Sequence, residues 1–337
     1  MTKRFALVIA GGVLIVGGLM TFKILNDRHY AATSAGALHG AHLVHLADGR
    51  PAITVGEIVV VPHGRHGADR SDRLEVIDTD GVRLARVMVD HSTACVAAAP
   101  GLLWCDTSIV GRRDLELRDA ATLAVRVPHA KLVAGAPALA AGQAPVIEAA
   151  TGEAWMMTAD GRFWHVDPRT LRGGVVDQRP ASGTLDVGAS QSPLDGGIRL
   201  EPNSIYFEGS PRATLTFNDN RGGTHPIAPD TFLHPQLLVD REGPAVAYPA
   251  ALGFEDGKVL IVIHDDTVDH DTAHMQVTAL GLDGKRRWTV ALDHGEVRAA
   301  WIVGHRLVVG VHHGDELGSE IIALDEADGH VVWRAGT

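Results

Sequence analysis

Between residues 58 and 335 one unit recurs: an apolar strand, a polar loop, a second strand ending in Asp, a Gly turn and a third strand. It is compact at 155–175, where WMMT and FWHVD flank Ala159-Asp160-Gly161-Arg162 and a turn then leads into Gly174-Val175. The same frame fits 58–89 (IVVVPH, LEVID, TDG, VRLARVMV), 104–127, 259–292 and 307–335 (LVVGVH, IIALD, EADG, HVVWRA). The aligned turn positions are Asp78, Asp119, Asp167, Gly281 and Asp325, spaced 41, 48, 114 and 44 residues apart, so the long gap holds at least one poorly matched unit near 205–218. A sheet of three or four short strands cannot bury both of its faces alone. Repeated every 40–50 residues, such sheets pack radially around an axis, and the expectation is an all-β β-propeller.

Residues 43–337 provide enough chain for about six to seven blades of this size. Closing a ring calls for one blade shared between the chain ends, and the strands near 43–61 and 331–335 are the natural candidates. No stretch after residue 30 carries a long 3.6-residue periodicity, so very little helix is expected. A β-sandwich or β-helix does not explain the hairpin-plus-strand period. The high glycine content, 38 of 337 residues, suits a turn-rich fold, and an apolar fraction of 45% excludes a disordered chain. The net charge of −11 argues against a general nucleic-acid binder, because a basic face is needed to neutralise phosphates. The stretch 178–235, rich in Pro, Gly, Asn, Ser and Asp, reads as a divergent blade with long loops, or as a lid over the ring.

ALDEADGHVVW, 323–333, resembles the A-x-D-x-x-x-G-x-x-x-W repeat of the PQQ-binding-like (quinoprotein alcohol dehydrogenase-like) β-propeller superfamily. ALGLDGKRRW, 279–288, is a shortened version with Gly281 in place of Asp, while 163–173 and 74–84 keep the strand and the Asp but lack the Trp. The resemblance covers most of 55–335 and implies that Trp288 and Trp333 dock onto neighbouring blades. It is specific for fold and weak for function, since propellers host unrelated activities. Dehydrogenases of the superfamily often carry a disulfide between adjacent cysteines beside the quinone. Cys95 and Cys105 are ten residues apart, which argues against PQQ as a cofactor here. Similar propellers without a cofactor serve as envelope scaffolds.

Residues 5–22 contain no charge and are flanked by Lys3, Arg4 and Lys23. Eighteen helical residues cover about 27 Å, close to one hydrocarbon core, so 1–22 is read as a transmembrane signal anchor, followed by a linker at 23–42. A cleaved signal peptide is the rival reading, although its apolar region should be shorter. Either way the bulk is exported, and the expected address is the bacterial inner membrane with the propeller in the periplasm. Cys95 and Cys105 are equidistant from a turn near Pro100-Gly101 and face one another across a hairpin. A disulfide is feasible there, two buried thiols being the other reading, and a bridge fits an oxidising compartment.

Three of the 19 histidines, His63, His264 and His312, occupy one aligned position, the end of the strand before the polar loop. The loops that follow are enlarged and rich in His and Asp, and equivalent loops emerge on one face of a propeller. His264, Asp266, His270, Asp271 and His274 form the densest candidate set for a divalent metal, zinc or calcium, with His63 and His312 as weaker additions. His270 to His274 has the spacing of a zinc-protease helix, but it joins two strands. The alternative is that these residues are ordinary solvated loop groups. No nucleophile elbow, Walker loop or dinucleotide fingerprint occurs. The functional expectation is a binding or assembly scaffold with envelope protein partners. The alternative is a metal- or quinone-dependent envelope enzyme using the rim.

Overall fold

A computed structural model describes residues 37–62, 68–89, 92–109, 112–148, 151–178, 184–186, 205–208, 212–218, 223–237, 259–269, 273–281, 283–293, 295–313 and 318–336. The segment read as a membrane anchor, residues 1–22, lies outside them. Among the described residues no helix is long and apolar enough to cross a membrane.

The described residues form five antiparallel sheets. The first contains β1 (Ala37–His45), β2 (Pro51–Pro62), β3 (Ala68–Asp78) and β4 (Arg83–Val89). The second contains β5 (Ser92–Ala99), β6 (Leu102–Ile109), β7 (Arg112–Asp119) and β8 (Val125–Val127), and is followed by a single helical turn, α1 (His129–Leu132). The third has β9 (Val146–Glu148), β10 (Ala154–Met157), β11 (Phe163–Val166) and β12 (Gly173–Val176), with β13 (Thr184–Asp186) added beside β9. The fourth runs β14 (Ile205–Glu208), β15 (Arg212–Asn218), β16 (Thr224–Leu237), β17 (Val259–Asp265), β18 (Met275–Gly281) and β19 (Arg286–Ala291). The fifth contains β20 (Glu296–Val303), β21 (Arg306–His312), β22 (Ser319–Asp325) and β23 (Val331–Gly336).

The strands of a sheet differ by position. In the fifth sheet β21 and β22 are buried on both faces and read as continuous apolar runs, whereas the outermost strand, β23, alternates half-buried with exposed residues. Successive sheets stack face to face. Ile261, Ile263 and Val277 of the fourth pack on Leu307, Val309 and Ile322 of the fifth. The other face of the fifth presents Val308, Ile321 and Ala323 to Ile53, Val55 and Ile77 of the first. Leu74 and Val76 continue to Cys95, Leu103 and Cys105 of the second, and Trp104 and Leu117 to Ile147 and Val166 of the third. The sheets therefore form a propeller-like arc in the order fourth, fifth, first, second, third. First strands come together on its inner side, where β1 touches β5 on one flank and β20 and β21 on the other.

The expectation of a blade shared between the chain ends is corrected. β1 pairs with β2 inside the first sheet, and β23 pairs with β22 inside the fifth, so each sheet is built from consecutive strands. β1 also takes in residues 37–42, the last part of the expected linker. The two ends meet through side chains instead. Trp333 Nε1–H donates to the Thr79 carbonyl (2.7 Å), Arg83 donates to the Gly336 carbonyl (2.7 Å), and Leu38 N–H donates to Ser319 Oγ (2.8 Å). Strand exchange is unnecessary where apolar faces and ion pairs hold the seam.

The recurring Asp has a local physical cause. Asp78, Asp119 and Asp325 end the third strand of their sheets, and Asp167 directly follows β11. Each carboxylate accepts backbone N–H groups from the turn it opens, for example Asp167 Oδ1 from Arg169 (2.8 Å) and Thr170 (2.7 Å). Those bonds, with the Thr170 N–H foremost, hold the Asp167 carboxyl below its usual range. Where Gly281 replaces the Asp, Asp283 takes over by accepting Lys285 N–H (3.1 Å). All five of these turns return through a left-handed residue: Gly81 (φ 81), Leu123 (φ 59), Leu171 (φ 58), Gly284 (φ 76) and Gly329 (φ 75). Leu123 is core and must stay, but Leu171 is 41% exposed. Leu171→Gly is expected to stabilise the fold by about 0.5–1 kcal/mol, since a left-handed L-residue costs more than glycine's added chain entropy. A urea midpoint that falls in this variant would show the turn to be held by the Leu171 side chain instead.

The two cysteines form a disulfide. They face each other directly across β5 and β6, with Cα atoms 4.1 Å apart, and are buried between the first and second sheets.

Candidate binding rim

Antiparallel order brings the connections after the second strand of each sheet to one end and the Asp-capped turns to the other. His264 and Asp265 end β17, and His312 ends β21, so these residues lie on the first of these rims. An open cavity of about 230 Å³ lies there against β15, β16, β17 and β18. It is lined by Arg212, Thr231, His264, Asp265, Asp266 and Gln276, among others.

His264 is buried at this rim, as is Asp265. Its Nδ1 lies 3.0 Å from the Asp265 carbonyl oxygen and its Nε2 lies 2.9 Å from Thr278 Oγ1, which in turn lies 2.8 Å from Thr289 Oγ1. Nδ1–H therefore donates to the carbonyl, and Nε2 accepts from the threonine hydroxyl. Phe232 meets the ring edge-on, with centroids 5.0 Å apart. Burial pushes the imidazole below its ordinary value of 6.5 and keeps it neutral, outweighing the favourable bond to Asp265. The sign follows directly. Unfolded chain takes up the proton near pH 6.5 and folded chain only at lower pH, so this stabilisation is present above pH 6.5 and lost as pH falls through the folded value. His264→Gln is expected to flatten the loss of melting temperature between pH 7 and pH 5; an unchanged slope would exclude His264 as its source.

His234, in β16, lies with Nδ1 2.7 Å from Asp265 Oδ2. It is a non-glycine residue at φ 43 directly before Pro235, in a region that L-residues enter at a cost of about 1–3 kcal/mol. The irregular β16–β17 register between Leu233 and Gln236 accommodates it. The pair fixes the orientation of the imidazole beside the cavity. The cavity itself offers a guanidinium and an amide as donors and two carboxylates as acceptors, which suits a polar ligand of mixed charge.

The sequence-derived metal set is distributed as follows. Asp266 and His274 come together: His274 N–H donates to Asp266 Oδ1 (2.9 Å), and the ring Nδ1 lies 3.3 Å from Oδ2. His264 turns both nitrogens to Asp265 and Thr278, away from that pair. His312 stands in the fifth sheet with Nδ1 3.3 Å from Ser319 Oγ. His63, His270 and Asp271 lie outside the described residues. Among the described residues, the group whose metal-ligand atoms all approach within 4.8 Å is Asp325, Asp328 and His330, on an exposed turn at the opposite end. Its Asp328 and His330 bond each other at 2.6 Å, as ordinary turn residues do.

His234 and Arg212 were missed in the sequence because they fall in the divergent stretch, where no repeat frame aligns them. Trp288 and Trp333 are placed at equivalent contacts between sheets. Trp288 donates to the Glu326 carbonyl (2.8 Å) with its ring over Gly329, and Trp333 donates to Thr79 with its ring over Gly81. A Cβ on either glycine would fall 2.5–2.7 Å from the indole, so only glycine admits the contact.

No family profile matches the chain, and no curated protein matches it. Among solved structures, the AtxE2 isopeptidase with astexin3-dC4 bound is similar with a TM-score of 0.48 and 11% identity, over 89% of this chain and 52% of that one. This chain thus spans about half the length of that isopeptidase. The C-terminal WD40 domain of Sif2 gives 0.32 at 8% identity, over 91% and 88% of the two chains. A COPII outer-coat vertex on membranes gives 0.32 at 10%, over 88% and 74%. Likeness at this level assigns neither family nor activity.

Proposed function

We propose that this chain is a PQQ-like β-propeller of about six to seven blades, tethered to the bacterial inner membrane by residues 1–22, that acts in the periplasm as a protein-binding or assembly scaffold without PQQ. The observation that carries the reading is the repeated docking of an indole on the next glycine: Trp288 on Gly329, and Trp333 across the chain ends on Gly81. These are the Trp and Gly positions of the A-x-D-x-x-x-G-x-x-x-W repeat, so the repeat serves blade-to-blade packing and leaves both rims for recognition. The Cys95–Cys105 bridge agrees with an oxidising compartment. Rim groups such as His264 are engaged in holding the rim's shape, as a binding surface requires.

The test is photo-crosslinking in intact cells from exposed rim positions, with the full chain at its native level. A discrete envelope-protein adduct that vanishes when the probe moves to a buried strand is the expected result. Crosslinks only to lipid, or a smear no different from the buried control, would remove the scaffold reading.

A further inference from the structure

The topology fixes the end of the arc at which the chain enters. β1 begins at the end of the first sheet from which the β2–β3 connection leaves, since Ala37 is opposite Ile58, near the end of β2. Its start is pinned to the equivalent end of the fifth sheet: Leu38 N–H donates to Ser319 Oγ, and Ser319 opens β22 immediately after the β21–β22 connection. The Leu38 side chain packs beside Gly310 of β21. β1 lies on the inner side of the arc, touching β5, β20 and β21. The chain therefore enters near the centre of the rim bearing His264, Asp266, His274 and His312. The turns opened by Asp78, Asp119, Asp167 and Asp325 lie at the opposite end.

We infer that in the anchored protein the His- and Asp-rich rim faces the bilayer and the Asp-capped turns face away, toward protein partners. This rests on the reading of residues 1–22 as an uncleaved anchor. Only residues 23–36 separate the apolar run from β1, and fully extended they span at most about 50 Å. Turning the other face to the membrane would carry that segment outward past four strands, about 15–20 Å with side chains, and then back along the length of β1, whose nine residues opposite Pro51–Ile58 rise about 30 Å. That path would use essentially the whole of the fully extended segment, whereas entry at the His- and Asp-rich rim reaches the bilayer directly. The cavity beside His264 and Asp266 accordingly lies on the bilayer side, open to lipid headgroups and small solutes, and a large partner meets the far turns first.

The test compares two fluorophore positions at opposite ends of β18, Thr267→Cys and Lys285→Cys, about 20 Å apart along the strand. Both side chains are exposed, and the two natural cysteines are bonded to each other, so each introduced thiol labels alone. The full chain is reconstituted into phosphatidylcholine vesicles carrying a headgroup acceptor dye, and flotation is measured on the same sample. Co-flotation with at least about twofold greater transfer from position 267 than from 285 is expected. Co-flotation with equal or greater transfer from 285 overturns the orientation while the anchor stands. Failure to float overturns the anchor reading, and the orientation with it.

Discussion

Glu75→Gln is expected to destabilise the protein by about 3–5 kcal/mol, because it leaves three guanidiniums, one of them buried, with Glu57 as the single carboxylate of the network. Glu75 is fully buried on the face of the first sheet that meets the fifth. Its Oε1 lies 3.3 Å from Arg73 Nε and also contacts Arg86, and its Oε2 takes Arg83 Nε at 2.6 Å. Arg73 is 1% exposed and is shared with buried Glu57, whose Oε2 lies 2.6 Å from its Nε. Glutamine keeps the shape and removes the charge, so two carboxylates facing three arginines become one. Urea denaturation of wild type and variant at pH 7 gives the answer as a shift in midpoint at constant slope. Arg86→Gln in the same background should recover part of the loss, since it removes one uncompensated cation. A loss below about 1 kcal/mol would mean that water screens the network, as it does surface pairs.

Trp333→Ala is expected to cost about 3–5 kcal/mol and to act on cooperativity as well as stability. The indole covers Gly81, donates to the Thr79 carbonyl and packs with Ile53, Val308 and Ala323 where the chain ends meet. Among the described residues no strand is shared across this seam, so contacts made by side chains couple the first and fifth sheets there. With the indole gone, amide exchange should accelerate in β1, β4 and β23 before it does in β6 and β7, whose contacts lie elsewhere. Trp333→Phe, which lacks only the indole N–H and part of the ring, should retain most of the stability. Val332→Ala, at an exposed neighbour, serves as control. Equal losses at 332 and 333 would show that the seam does not depend on the docked ring.

The repeat was legible because its determinants are local. An Asp that ends a strand and accepts N–H groups two to four residues later carries its own turn in the sequence. The exchange of Asp for Gly281 did not hide the unit, since Asp283 performs the same task two residues on. The hairpin that holds the cysteines was legible for a similar reason, but the turn closes on Ala99 opposite Leu102, and a bulge between Ala97 and Ala99 is what sets Cys95 opposite Cys105. The fate of the histidines was not legible. His264 and His274 are ten residues apart and chemically equivalent as candidates, yet one is turned inward to Thr278 and the other outward to Asp266. That choice depends on which face of the fourth sheet each side chain takes, and on Phe232 and His234 arriving from a segment with no recognisable repeat.

What the sequence by itself determined, then, is the periodic set of strand ends, turns and facing pairs, because hydrogen bonds across a few residues and two-residue alternation are encoded where they act. The tertiary structure alone decided how the ends meet, with whole first and fifth sheets packed through Trp333 and an ionic seam, and which polar groups are buried with partners. Those outcomes depend on contacts between residues up to 281 positions apart, such as Leu38 with Ser319, whose complementarity exists only once the sheets are stacked.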